Sequence, residues 1–283
     1  MCELSPSTNQ ALRRDPTFTK TLREKFEAEV KRRYKKVLAE LADYMAQAPL
    51  IMTNKQYDFP VGPLEQSQLL DFLGESVHRN LIDPAEAERV LKDKGFDQKP
   101  RGWVEGYIYD SYKKGIKRAE TEINKRTPKG ENIGLMAGAL KRENHQAKLT
   151  QILGRIYTSL KGIDEAMQAG IRREIALGLE AGEGTAKIAK RIENRVEKIG
   201  RTRSRVLART EVIRSHHQAN IASYQEAGIL KIVVQAEFST AGDGRVCSEC
   251  ESLDAQVFTL KTIEGMIPVH PNCRCVALPV IDF

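Results

Sequence analysis

Apolar residues recur at steps of three and four along much of the chain, and Lys, Arg and Glu fill the positions between them. This spacing places apolar side chains on one face of a helix and charged side chains on the other. It predicts amphipathic helices over residues 22–45, 64–80 and 103–126, and a further helix that begins at Asp83. The N-terminal part of the chain is therefore predicted to be helical.

A cluster of turn-forming residues at 127–134 separates this part from a second helical region, which begins at about Leu149. Thr185 is expected to cap a helix that ends near Val196. A separate helix is predicted over residues 203–227. The turn cluster is the predicted domain boundary.

The pattern changes to a β-type pattern after this last helix. Residues 229–238 alternate and are rich in β-branched side chains, which predicts a strand, and residues 257–260 predict a shorter one. Residues 275–281 predict a third strand, which must lie at an edge because Pro279 lacks a backbone N–H. The predicted fold class is α+β, with a helical N-terminal domain followed by a mixed C-terminal domain that has a small sheet and a Cys/His metal clip.

The composition is that of a globular protein with a charge-rich surface, since 41% of the 283 residues are hydrophobic and 29% are charged. No apolar run approaches the ~20 residues that a membrane helix needs. Residues 1–15 also lack the apolar core of a secretory signal. We therefore expect synthesis in the cytoplasm.

The charge is unevenly distributed along the chain. The net charge of +7 comes from 45 basic and 38 acidic residues, and the stretch 187–214 is strongly basic. Its candidates for contact with nucleic-acid phosphates are Lys187, Lys190, Arg191, Arg195, Arg201, Arg203 and Arg205. Such a run fits contact that ignores base sequence, because no aromatic residue is interleaved for base stacking. The alternatives are a solvated helix face and an acidic partner surface.

Four of the five cysteines lie in a short C-terminal segment. Two residues separate Cys247 from Cys250, and two separate His270 from Cys273. Two such pairs of ligands suit tetrahedral zinc. Cys275 is an alternative to His270 as the fourth ligand. Four protein ligands leave no open coordination position, so this zinc would be structural. A reducing cytoplasm favours metal over a disulfide such as Cys250–Cys273. Free buried thiols are the remaining alternative.

Another polar group lies on the predicted helix upstream of the cysteines. Glu211, His216 and His217 could suggest a catalytic site, but adjacent side chains on a helix point about 100° apart. We interpret the two histidines as part of a polar helix surface. Arg209 and Thr210, together with Glu211, are instead predicted to form a buried polar network that seats the helix on the sheet.

Four motifs follow one another in the second half of the chain. They are Arg-Thr-Glu from Arg209, Asp-x-Arg-x-Cys-x-x-Cys from Asp243, Leu-Asp from Leu253, and His-Pro-x-Cys-Arg-Cys from His270. Their order resembles the phage Mu F-like head-morphogenesis family over about residue 149 to the end. The last motif is the specific part of this resemblance.

The resemblance implies a minor head protein that binds the portal vertex during head assembly and lies in the head interior of the virion. Its implied partners are the portal protein and other head or scaffolding proteins, with non-specific contact to packaged DNA as a further option, and it implies no catalysis. Residues 1–130 would be a helical portal-docking region, and residues 149–283 the head-morphogenesis domain. Members of the family commonly carry glycine where Ala255 stands, a departure that concerns the geometry of one turn.

Two other functions use similar cysteine motifs. A zinc-stabilised nuclease of the His-Asn-His type needs a helix with further metal ligands after its catalytic histidine, whereas Cys273, Cys275 and an edge-strand pattern follow His270. A zinc-ribbon nucleic-acid adaptor needs exposed basic and aromatic residues, whereas residues 246–267 are weakly acidic. Both functions are alternatives to the head protein.

Overall fold

The computed structural model describes residues 15–47, 63–82, 102–128, 133–183, 185–229 and 235–281. Most of these residues are helical, and a small antiparallel sheet lies near the C-terminus. The predicted small C-terminal sheet is therefore confirmed, in a chain that is otherwise mostly helical. The predicted helix that begins at Asp83 falls outside the described residues. Among the described helices, none has the length and apolar character needed to cross a membrane.

Three helices lie where the apolar period predicts them. They are α1 (Lys20–Gln47), α2 (Pro63–Val77, continued by a π-helical turn, His78–Ile82) and α3 (Trp103–Arg126). Their apolar stripes are buried, as at Val30 and Ile116. Burial of one stripe per helix is the contact that stabilises these elements.

The next two helices differ from the prediction. Helix α4 (Glu143–Glu180) begins ahead of Leu149, and helix α5 is continuous over Thr185–Ile229. The predicted break between residues 196 and 203 is wrong. Gly200 lies inside α5 because the ring of Tyr34 packs against it, and a Cβ at Gly200 would lie only 2.8 Å from Tyr34 Cδ1.

The sheet has three strands in the order β2-β1-β3. They are β1 (Gln235–Ser239), β2 (Val257–Thr259) and β3 (Val276–Val280), with the short helices α6 (Ser248–Leu253) and α7 (Leu260–Ile263) between them. Strand β3 lies at an edge, as Pro279 predicts, and it packs against α3. The first strand was predicted to begin at Ile229, but Ile229 is the last residue of α5. Within the described residues the strand covers Gln235–Ser239.

The chain forms two compact units, each assembled from distant segments. The first contains residues 1–26, 90–153 and 208–283, and the second contains residues 27–89 and 154–207. Described residues on both sides of the predicted boundary at 127–134 belong to the first unit. The division into a portal-docking region, 1–130, and a head-morphogenesis domain, 149–283, remains a prediction about function.

In the first unit, α3 crosses the C-terminal part of α5 at close range. A Cβ at Gly115 would collide with the backbone carbonyl of His216, so only glycine fits at this crossing. Ser111 Oγ donates a 2.7 Å hydrogen bond to the Val212 carbonyl, and Ser215 Oγ donates a 3.0 Å bond to the Ile108 carbonyl. This crossing makes α5 a fixed platform for the C-terminal module.

Candidate metal centre

Two tight turns present the predicted metal ligands. Cys247 caps the N-terminus of α6, and the backbone N–H of Cys250 points to Cys247 Sγ at 3.4 Å. In the second turn the backbone N–H of Cys273 donates to the His270 carbonyl at 3.1 Å. The spacing of two residues within each pair therefore has the local geometry that was predicted for it.

The imidazole of His270 bridges the first pair of thiols. Its Nε2 lies 3.2 Å from Cys247 Sγ and 3.2 Å from Cys250 Sγ. Its Nδ1 lies 2.9 Å from the carbonyl of Pro271, which favours the tautomer with the proton on Nδ1. Such a hydrogen bond leaves Nε2 as the nitrogen that can bind a metal.

The structure brings all five predicted ligands together in two overlapping groups. Cys247, Cys250 and His270 form one group, Cys250, Cys273 and Cys275 form the other, and the ligand atoms within each group lie within 4.8 Å of one another. Zinc–sulfur bonds of ~2.3 Å in a tetrahedron put sulfur atoms roughly 4 Å apart. The donor set and its spacing therefore fit zinc, and both His270 and Cys275 lie beside the shared Cys250.

The thiols differ sharply in acidity because they are crowded together. A hydrogen bond with Cys275 lowers the pKa of Cys273 to about 5, while burial raises the pKa of Cys250 to about 12. The hydrogen bond with Cys273, together with burial, raises the pKa of Cys275. The raised pKa values keep the Cys250 and Cys275 thiols protonated at neutral pH, so a metal that bound them would have to displace their protons.

An ionic clamp joins the two turns that carry the predicted ligands. The guanidinium of Arg274 donates to both carboxylate oxygens of Asp243, at 2.7 and 2.6 Å, and Arg245 donates to the same carboxylate at 2.8 Å. Hydrogen bonds from Arg274, and then from Arg245, lower the pKa of Asp243. A two-pronged pair of this kind fixes orientation as well as distance. The Asp-x-Arg and Cys-Arg-Cys motifs therefore act together, because their charged side chains hold the two turns next to each other.

The Leu-Asp motif shapes the turn that leads into β2. Asp254 accepts a 2.8 Å hydrogen bond from the backbone N–H of Thr240, and Ala255 N–H donates to the Phe238 carbonyl at 2.8 Å. Ala255 adopts a left-handed conformation with φ 62°. The departure from glycine noted in the sequence thus falls at a position whose backbone favours glycine.

Helix α5 forms hydrogen bonds with the second of the two turns that carry the predicted ligands and with the end of α7. Thr210 Oγ1 accepts the backbone N–H of Asn272 at 3.3 Å, and Gln218 donates to the Glu264 carbonyl at 2.9 Å. His217 Nε2 lies 2.9 Å from the Ile263 carbonyl. Of the predicted buried network, Thr210 is half-buried and bonds to the turn at Asn272, while Glu211 is buried and pairs with Arg214 of the same helix.

The interpretation of His216 and His217 as a polar surface is wrong. Each side chain is about 1% exposed, and burial lowers the pKa of His216 to about 3 and that of His217 to about 4. The signal in the sequence was the apolar residues one helical turn away on the same side, such as Ile213 and Ile221 on either side of His217. Side chains in line with an apolar stripe are buried with it.

The basic run divides into exposed and engaged side chains. The exposed candidates are Lys187, Lys190, Arg201, Arg203 and Arg205, and Lys198 is exposed with them. Arg191 pairs with Glu183 at 2.5 Å, and Arg195 is half-buried against Gly170. The seven predicted phosphate-binding residues therefore do not all lie on one exposed surface.

The described residues after His270 form a turn and then β3, rather than a helix. The arrangement that a His-Asn-His nuclease needs is thus missing from this part of the chain. What the fold and the cluster define is a small α+β module, clamped by ionic and cysteine contacts and seated on a long helix.

Residues 169–278 match the family model described as Phage Mu protein F like protein. Over 126 residues the chain is 32% identical to the Minor head protein GP7 of Bacillus phage SPP1, and this match covers 40% of the chain and 40% of that protein. The chain thus spans about two fifths of the length of this curated relative. No solved structure matches the chain. The predicted resemblance to the Mu F-like family is thus confirmed over residues 169–278.

Proposed function

We propose that the chain is a minor head protein of a phage, which is made in the host cytoplasm, joins the portal vertex with other head proteins and remains in the head interior. The observation that carries this proposal is the match of residues 169–278, a segment that contains both metal-binding turns and the Asp243–Arg274 clamp. The name of the relative, a minor head protein, supports the same role.

Electron microscopy of purified heads tests the location. Heads made with the chain should show density at a single vertex next to the portal, and heads made without it should lack that density. Mass spectrometry of the same heads should detect the chain. Its absence from purified heads, or an even distribution over all vertices, would contradict the proposal.

We also propose one structural zinc, held by Cys247, Cys250, Cys273 and either His270 or Cys275. The support is the convergence of these side chains, whose ligand atoms lie within 4.8 Å of one another in each group. Protein purified without chelator should contain about one zinc per chain. Cys250→Ser should lose the metal because Cys250 belongs to both groups, whereas Cys2→Ser should retain it. Equal zinc content in the two variants would contradict the site.

A zinc with four protein ligands has no position for substrate, so we propose that the protein has no catalytic activity. Incubation of the purified protein with duplex DNA and divalent metal should therefore leave the DNA intact. Cleavage that disappears in His270→Ala, with the fold and zinc content retained, would favour the nuclease alternative.

Exposed basic residues of α5 are suited to the phosphates of packaged DNA. Lys187, Lys190, Lys198, Arg201 and Arg205 are spaced by three, eight, three and four residues, which places them on one face of the helix, and we name them the basic stripe. At ~1.5 Å per residue the stripe is about 27 Å long. Its ion pairs with Glu193 and Glu197, at 2.9 and 2.8 Å, lie on the surface and are weak enough to exchange for phosphate.

Filter binding of duplex DNA at two salt concentrations tests the basic stripe. The double variant Lys187→Glu and Lys198→Glu should bind more weakly and with a smaller salt dependence, by about one unit of slope per lysine. A matched variant, Lys35→Glu and Lys36→Glu on α1, has the same change in charge and should bind like the wild type. Equal weakening in both variants would show that only net charge matters.

A further inference from the structure

Phe18 is an exposed aromatic residue held in an unusual backbone conformation. Its side chain is 52% exposed, and its φ of 53° is in the left-handed region. This conformation is disfavoured for a bulky residue. A strained backbone that leaves about half of an apolar side chain exposed to solvent calls for a functional explanation.

The segment around Phe18 is rigid because its neighbours are buried and hydrogen-bonded. Asp15 accepts bonds from Thr17 Oγ1 at 2.8 Å and from the backbone N–H of Lys20 at 2.7 Å. The side chain of Thr17 also bonds to Thr19 at 2.7 Å, and both threonines are buried. Phe18 N–H donates to the Asp15 carbonyl at 3.1 Å. The ring is therefore presented in a fixed place.

One face of the Phe18 ring is covered by Arg118 of helix α3. The guanidinium carbon lies 4.8 Å from the ring centroid, and the Arg118 side chain is only 11% exposed. Arg118 pairs in turn with Glu122 at 3.2 Å. A cation over the ring fixes its orientation, so a partner that contacts the ring has little side-chain entropy to remove.

The surface of α3 beside Phe18 is positively charged. Lys114 and Lys117 are exposed. Lys114 lies one helical turn before Arg118, on the same side of α3, and Lys117 lies one turn after Lys114. Glu120 accepts the backbone N–H of Met136 at 2.6 Å and Glu122 bonds to arginines. Asp110 is exposed one turn before Lys114, but residues 113–118 carry four basic side chains and no acidic one. The lysines can therefore attract an acidic partner.

We propose that Phe18, Lys114 and Lys117 form a docking surface for an acidic segment of another head protein, with an apolar side chain of that segment packed on the Phe18 ring. The inference rests on the proposed function, which supplies other head proteins as partners. A rigid aromatic anchor with a charged rim is the usual arrangement at the centre of a protein interface. Single-stranded nucleic acid fits less well, because it needs successive aromatic platforms. Phe18 is the one exposed aromatic among the large exposed hydrophobic residues of the described chain.

Photo-crosslinking from residue 18 tests the proposal in particles. Phe18 is replaced by p-benzoylphenylalanine in the full chain, heads are purified and irradiated, and crosslinked peptides are identified by mass spectrometry. We expect one protein segment rich in Asp and Glu with an apolar residue at the crosslink. The same crosslinker at Leu177, an exposed residue of the second unit, should not capture this segment.

Charge reversal distinguishes docking from chance proximity. Lys114→Glu combined with Lys117→Glu should reduce the crosslink yield by about tenfold or more, whereas Lys35→Glu combined with Lys36→Glu should leave it unchanged. The captured segment, made as a labelled peptide, should bind wild-type protein and lose about tenfold affinity for Phe18→Gly, a change that relieves the backbone and keeps the fold.

A crosslink to DNA, a captured segment without acidic residues, no captured segment, or equal yields in the two charge variants would overturn the proposal. The presence of the chain in the same purified heads is measured separately. Heads that contain the chain but show no such crosslink would overturn the docking surface and leave the proposed head function standing.

Discussion

At the scale of single residues, two positions of the C-terminal module have left-handed backbones without being glycine. Ala255 has φ 62° and Asn272 has φ 66°. Asparagine tolerates this region because its short polar side chain can bond locally, whereas alanine bears the steric cost of its Cβ. Replacing Ala255 by glycine should therefore stabilise the folded protein.

We expect Ala255→Gly to raise the free energy of unfolding by about 0.5–1 kcal/mol, because glycine removes the steric cost at positive φ. Urea unfolding measures the change. Ala169→Gly, at an exposed position in the middle of α4, is the matched control and should lower the same quantity by about 1 kcal/mol. A loss of stability in both variants would contradict the interpretation of the turn.

His216 and His217 make stability depend on pH, because both are buried as neutral rings. Their folded pKa values, about 3 and about 4, lie below the value of 6.5 for the free side chain. The unfolded chain therefore binds more protons as the pH falls below 6.5, and stability is lost towards acid. The loss extends down to the folded pKa values.

We expect the free energy of unfolding to fall by roughly 2 kcal/mol for each of these histidines when the pH is lowered from 7 to 5. His217→Gln keeps a donor for the Ile263 carbonyl and removes one titrating group. The variant should lose less stability than the wild type over this interval, in urea unfolding at both pH values. Metal release in acid affects both proteins alike, so identical losses would argue against a neutral buried His217.

At the scale of elements, close approach between helices decides where glycine is required. A Cβ at Gly200 would meet the ring of Tyr34 on α1, whereas a Cβ at Gly162 on α4 would have no described atom of another segment within 4 Å. Both glycines lie inside long helices of the second unit. Glycine inside a helix is ordinarily a weakness, so only the contact with Tyr34 explains its use at residue 200.

The two positions should respond to alanine with opposite signs. Gly162→Ala should raise the free energy of unfolding by about 0.5–1 kcal/mol through helix propensity. Gly200→Ala should lower it by about 1–3 kcal/mol, because the new methyl group displaces Tyr34. Thermal or urea unfolding of the two variants against the wild type gives the comparison. A gain at residue 200 would mean that α5 does not pack on Tyr34.

At the scale of the whole molecule, the cysteine cluster closes the C-terminal module. The first ligand-bearing turn opens α6, and the second precedes β3 at the far end of the module. The Asp243–Arg274 clamp joins the same two segments, and Thr210 of α5 holds the second turn. A three-stranded sheet buries little apolar surface by itself, so these connections carry much of its stability.

We expect a strong zinc chelator to lower the unfolding midpoint of the wild-type protein, because a ligand that binds only the folded state stabilises it. Cys250→Ser should already have the lower midpoint and should not respond to the chelator. Cys2→Ser should behave like the wild type. Differential scanning fluorimetry measures all three proteins, and a wild-type midpoint that is unchanged by chelator would count against a structural metal.

The sequence by itself determined the features that depend on local periodicity and local chemistry. The limits of α3 follow from its apolar stripe, the edge position of β3 follows from the missing N–H of Pro279, and the ligand turns follow from the spacing of their own residues. Only the tertiary structure decided the continuity of α5 through Gly200, the burial of His216 and His217, and the pairing of Asp243 with Arg274. The physical reason is that each of these features depends on a contact between residues far apart in the chain, and neither propensity nor periodicity within one segment contains that contact.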